Sequence, residues 1–194
     1  MSSKQLNQLW LTWNENEESK FQENVEEILE VLQPNAHQLE SLRVGGYKVV
    51  HFPQWMSSPS LKYLSCLELE DCKSCLKLPL LGKLPSLNRL IISNIMHVKY
   101  LYEESFDGGV IFMALEKLTL SYLANLISLS SEDWDNMFPH LSILEINECP
   151  KFFVEEVLLQ GIFRPRILAQ QLREHVPTPF HPCLNALETF NDYN

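Results

Sequence analysis

Positive charge is in short supply in this chain: 15 Lys and Arg stand against 25 Asp and Glu, a formal net charge of −10. That balance argues against a nucleic-acid backbone or an anionic membrane as the main partner and leaves an acidic, solvated surface. No apolar run reaches the roughly 18 residues that read as a membrane span. The opening Met1-Ser-Ser-Lys-Gln5 lacks the apolar stretch of a secretory signal, and no Asn-x-Ser/Thr site occurs. Five cysteines, an odd number, fit reduced thiols better than a disulfide framework. The expected location is therefore cytoplasmic.

Chemistry-bearing motifs are equally sparse. Gly82-Lys83 is followed by Leu84 rather than Ser or Thr, and Lys77 stands where a P-loop would open on glycine. Cys72-Lys-Ser-Cys75 has no second CxxC or HxxxH pair to complete a zinc site, and it follows a strand rather than opening a helix as a redox pair would. Glu103-Glu104 has no histidine or nucleophile placed beside it by a motif. The six histidines are scattered. No catalytic, metal or cofactor-binding residue is assigned, and no enzymatic activity is expected.

What the chain has is leucine in a fixed rhythm. Leu64, Leu67, Leu69 and Cys72 set a skeleton, LxxLxLxx followed by Asn, Cys or a substitute, that recurs from Leu6, Leu39, Leu87, Leu115 and Leu141. Successive starts lie 33, 25, 23, 28 and 26 residues apart. Six matches in order at such spacing define leucine-rich repeats. The expected fold is α/β: an irregular solenoid with a parallel concave sheet, and short helices or loops on the convex side. Residues 1–152 make about six repeats, and residues 153–194 a divergent C-terminal cap or tail.

Alternation along a strand assigns the faces. Leu9 and Leu11 point inward while Gln8, Trp10 and Thr12 point out, and the same parity runs through the later strands. A helix is expected over 22–33, where Val25, Ile28, Leu29 and Leu32 recur at helical spacing before Pro34. Phe52-Pro-Gln-Trp-Met56 fills the convex side where no long helix fits, and the prolines of 78–87 forbid a regular helix there. Residues 100–112 read as a bulging loop. A helical cap is expected over 153–174; Leu184, Leu187 and Thr189 offer a degenerate seventh strand.

The outward columns supply the binding candidates: Trp10, Arg43, Glu68, Glu70, Arg89 and Lys117. Charged and aromatic groups on a rigid sheet give orientation and specificity. Trp10 has a second reading, as a residue packed on a further repeat before it.

Several runs are more specific than a generic repeat. Leu29-Glu-Val-Leu-Gln-Pro34 leads to Leu39-Glu-Ser-Leu42; Gly46-Tyr47 precedes Phe52-Pro-Gln-Trp-Met56; Asp71-Cys-Lys-Ser-Cys75 precedes Leu78-Pro-Leu-Leu-Gly-Lys-Leu-Pro-Ser-Leu87; and Phe138-Pro-His-Leu141 and Cys149-Pro-Lys151 follow. Together, over about residues 4–152, they resemble the repeat domain of plant coiled-coil NB-ARC-LRR disease-resistance proteins. That resemblance implies a defence-response scaffold that senses a pathogen effector or a host guardee, or restrains the receptor's own upstream domains. The coiled coil and nucleotide-binding domain of the family are missing, so the chain reads as a fragment, and a non-functional truncated product is one alternative. A substrate adaptor of an F-box ubiquitin ligase is another.

Overall fold

The computed structural model describes residues 7–13, 30–31, 38–48, 50–102, 111–130, 137–152 and 166–169. Nine strands lie among them: β1 (Gln8–Thr12), β2 (Ser41–Gly45), β3 (Cys66–Glu70), β4 (Arg89–Ser93), β5 (Tyr100–Tyr102), β6 (Lys117–Ser121), β7 (Ser128–Ser130), β8 (Ile143–Asn147) and β9 (Arg166–Ala169). Seven of them form one parallel sheet in the order β1-β2-β3-β4-β6-β8-β9, and β5 pairs with β7 in a second. This is a leucine-rich-repeat solenoid.

The register never slips. Leu9, Leu42, Leu67, Leu90, Leu118, Leu144 and Ile167 are successive cross-strand partners. From β2 to β8 those leucines are wholly buried, as are Leu69, Ile92 and Leu120 two residues on. A one-residue slip would turn every one of them to solvent, so the apolar pattern itself fixes the pairing. Leu9 and Leu11 on β1 are only partly buried against this core.

Strands β2, β3, β4, β6 and β8 leave the sheet through a left-handed residue at the same repeat position: Gly46, Asp71, Asn94, Tyr122 and Glu148, with φ between 52° and 70°. The N–H of Gly46, Asp71, Asn94 and Tyr122 donates to the last strand residue of the next repeat, at 2.9–3.1 Å. The turn then drives the following side chain inward, burying Tyr47, Cys72, Ile95, Leu123 and Cys149. The left-handed region disfavours L-residues by roughly 1–2 kcal/mol, less for Asn. Tyr122, 61% exposed, gains little packing in return. Tyr122→Asn is therefore expected to raise stability by up to about 1 kcal/mol, read as a higher melting temperature; a lower one would mean that the ring contributes packing that its exposure hides.

The return segments are short. Gln54–Ser57 and Leu81–Lys83 form 3-10 turns that bury Trp55, Met56 and Leu81. Tyr100–Tyr102, expected as the start of a loop, is a strand instead, with Leu101 buried and Tyr100 and Tyr102 opposite Ser128 and Ser130. Phe112 and Phe138 stack at 5.0 Å. Glu30 and Val31 are helical; the rest of the helix expected over 22–33 lies outside the described residues. So do Glu103-Glu104 and the strand suggested at 184–189. The helical cap expected over 153–174 is corrected at 166–169, which pairs in register with β8 as a seventh parallel strand. Backbone groups along β8 take partners there in preference to staying open.

Candidate functional site

The unbroken register stacks the outward residues into three columns. One runs Gln8, Ser41, Cys66, Arg89, Lys117 and Ile143; the middle one runs Trp10, Arg43, Glu68, Ile91, Thr119 and Glu145. The third runs Thr12, Gly45, Glu70, Ser93, Ser121 and Asn147. The Cβ atoms of in-register residues on adjacent strands stand about 5 Å apart, so neighbours within a column can meet and diagonal neighbours are within reach of long side chains.

Arg43, Glu68 and Glu70 come together. Arg43 Nη2 donates to Glu70 Oε2 at 2.5 Å, and Arg43 Nε lies 3.6 Å from Glu68 Oε2. The Glu70 hydrogen bond, then the charge of Glu68, raise the guanidinium pKa against a smaller opposing effect of burial. These groups are partly exposed, and such pairs contribute roughly 0–1 kcal/mol. The cluster orients side chains more than it stabilises the fold.

Lys117 finds a partner that the sequence reading did not single out. Its Nζ donates to Glu145 Oε1 at 2.5 Å, and Thr119 Oγ1 donates to the other oxygen, Oε2, at 2.8 Å. The Lys117 hydrogen bond chiefly holds the Glu145 carboxyl below the ordinary carboxylate range; burial opposes it, and Thr119 and the charges of Lys117 and Arg89 assist. A lowered folded pKa gives stability that is full above the unfolded value and fades as pH falls through the folded one. Glu145→Gln should therefore flatten the acid limb of a stability-against-pH curve below the usual glutamate range, with an effect under about 1 kcal/mol. An unchanged acid limb in urea melts would show that the pair contributes nothing.

Arg89 is exposed and makes no ion pair among the described residues. Trp10 is 68% exposed on β1, in register with Arg43. The six residues singled out from the sequence thus fall into one three-residue cluster, one residue paired elsewhere and two that stand apart. Glu145 was within reach of sequence reasoning, since it sits one column over from Lys117 in the next repeat. Tyr122 was too: Gly46, Asp71 and Asn94, residues that tolerate left-handed backbone, mark its repeat position.

Cys72 and Cys149 serve the turns. Cys72 Sγ approaches the carbonyls of Glu70 and Val44 at 3.4 and 4.0 Å, and Cys149 Sγ those of Asn147 and Leu120 at 3.4 and 3.8 Å. Burial pushes the Cys149 thiol pKa up. A hydrogen bond with Cys75 lowers that of Cys72, with burial acting against it; both sulfurs are wholly buried, so neither is an accessible nucleophile. Among the described residues no three His, Cys, Asp or Glu side chains stand together as metal ligands, and no helix is long and apolar enough to cross a membrane.

Residues 1–95 match the family model of R13L1/DRL21 leucine-rich repeats. The chain is 30% identical over 154 residues to the putative disease resistance protein RGA4 of Solanum bulbocastanum, covering 76% of this chain and 15% of that protein. It is 27% identical over 162 residues to the putative disease resistance RPP13-like protein 1 of Arabidopsis thaliana, again 76% and 15%, and 28% identical over 152 residues to disease resistance protein RGA2 of Solanum bulbocastanum, 75% and 16%. No solved structure matches the chain significantly. The resemblance read from the repeats is thereby shown: residues 1–95 match the R13L1/DRL21 repeat model, and three quarters of the chain is similar to plant disease resistance proteins, of whose length it spans about 15%.

Proposed function

We propose, from a chain that carries R13L1/DRL21 leucine-rich repeats, that its outward sheet face is a protein-binding scaffold of plant defence. Its partner would be a pathogen effector, a host protein under surveillance, or an upstream nucleotide-binding domain held inactive, and its site of action the cytoplasm. The role is binding rather than catalysis. One observation carries this reading. The face presents Arg43, Arg89 and Lys117 against Glu68, Glu70 and Glu145, three charges of each sign, on a chain of net charge −10. The repulsive charge that keeps an acidic protein apart from others is left off this surface, while its paired charges can set register with a partner.

The test uses the purified chain and an isolated nucleotide-binding domain of the NB-ARC type as probe. Replacing Trp10, Glu68 and Lys117 together by Ala is expected to weaken association at least about tenfold, since a few central groups carry most binding energy. Tyr63→Ala, exposed but off the sheet, should leave it unchanged. Equal loss in both variants would remove the face from the interaction, and no association of the unsubstituted chain would remove the restraint role.

A further inference from the structure

The charges of the outward face are unevenly satisfied. Arg43 engages two carboxylates and Lys117 one, whereas the Arg89 guanidinium makes no hydrogen bond or ion pair among the described residues. Its in-register neighbours cannot help. Cys66 stands on one side and Lys117 on the other, and like charges directly opposite are destabilising. Glu145 feels the charge of Arg89 but has one oxygen on Lys117 and the other on Thr119. A planar fork of five donors is therefore left open near the middle of the sheet. Two residues along the same strand, Ile91 presents a half-buried apolar side chain to the same face.

We propose that Arg89 and Ile91 form a docking point for an extended segment of a protein partner that carries a carboxylate two residues from an apolar side chain. The proposal rests on reading this face as the binding surface. Same-face residues on a strand lie about 6.5–7 Å apart, and an extended partner repeats at the same distance, so both contacts are made at once. The carboxylate takes the guanidinium in paired charge-assisted bonds, and Lys117 adds a second positive charge beside it. The net charge of −10 does not forbid an acidic ligand. Charges farther than about 8 Å are largely screened at physiological salt, while a pair in contact is not.

Three synthetic peptides in Gly/Ser flanks test this by fluorescence anisotropy against the full chain: one with an Asp-Ser-Leu centre, one with Lys-Ser-Leu and one with Asp-Ser-Ser. The Asp-Ser-Leu peptide is expected to bind at least about tenfold tighter than either of the others. Arg89→Ala should abolish the preference for Asp over Lys, and Arg89→Glu should reverse it, with the melting temperature unchanged in both. A preference that survives Arg89→Ala but falls with Arg43→Ala would overturn the assignment and keep the face. Binding untouched by any face substitution would overturn both. The proposal also fails if no peptide binds, or if the only one that does is a fourth peptide with phosphoserine in place of the aspartate.

Discussion

Leu90→Ala is expected to lower the unfolding free energy by about 2–5 kcal/mol, whereas Glu68→Ala, one strand away, should cost under about 0.5. Leu90 is wholly buried on β4, in register between Leu67 and Leu118, which are themselves buried. Truncation leaves a void that neighbours held by their own repeats can only partly close, so the lost transfer energy and the cavity add. Glu68 stands on the opposite face, partly exposed, with one long contact to Arg43. Denaturant melts of the two variants decide the matter. Equal costs would mean that the inward and outward parities are exchanged.

The position of Leu90 matters as much as its burial. A solenoid is stabilised by nearest-neighbour interfaces, and a mid-array residue belongs to two of them. The same truncation at Leu9, partly buried and paired on one side to Leu42, has fewer contacts to lose.

The strands of the main sheet through β8 were legible because LxxLxL fixes both parity and register: once Leu67 and Leu69 face inward, Cys66, Glu68 and Glu70 must face out. The second sheet was not. Tyr100-Leu-Tyr102 and Ser128-Leu-Ser130 carry one inward leucine each, and only their pairing, 28 residues apart in sequence, makes them strands. β9 was hidden for a different reason. Its register sets Ile167 and Ala169 against Leu144 and Ile146, while Arg164 stands where the skeleton would open on leucine. The backbone of β8 recruits a strand that its apolar pattern does not announce. The outward charges could be placed in columns from sequence, but which of them pair depends on side-chain reach across the diagonal, as Lys117 with Glu145 shows.

Two adjacent glycines should respond in opposite ways to the same added methyl group. Gly45 ends β2 with ordinary strand backbone, and a Cβ there would meet Thr12 Cγ2 at 3.5 Å, a normal contact. Gly45→Ala removes freedom from the unfolded chain without strain and should be neutral or stabilise by up to about 1 kcal/mol. Gly46 has φ +70°, and its Cβ would drive into the Trp13 carbonyl oxygen. Gly46→Ala therefore incurs the left-handed cost of roughly 1–2 kcal/mol and an overlap costing about 1–3 more. The second part falls on backbone of the preceding repeat, which cannot swing aside as a side chain would. Relief requires β1 to move away from β2, loosening the Trp13 N–H to Gly45 carbonyl bond at 2.9 Å and the edge-on packing of Trp13 against Tyr47 at 5.1 Å. Tryptophan fluorescence should accordingly report an early transition in Gly46→Ala that circular dichroism of the main sheet lags behind. One coincident transition at the unsubstituted midpoint would mean that the turn at Gly46 is not the constraint that joins the first repeat to the second.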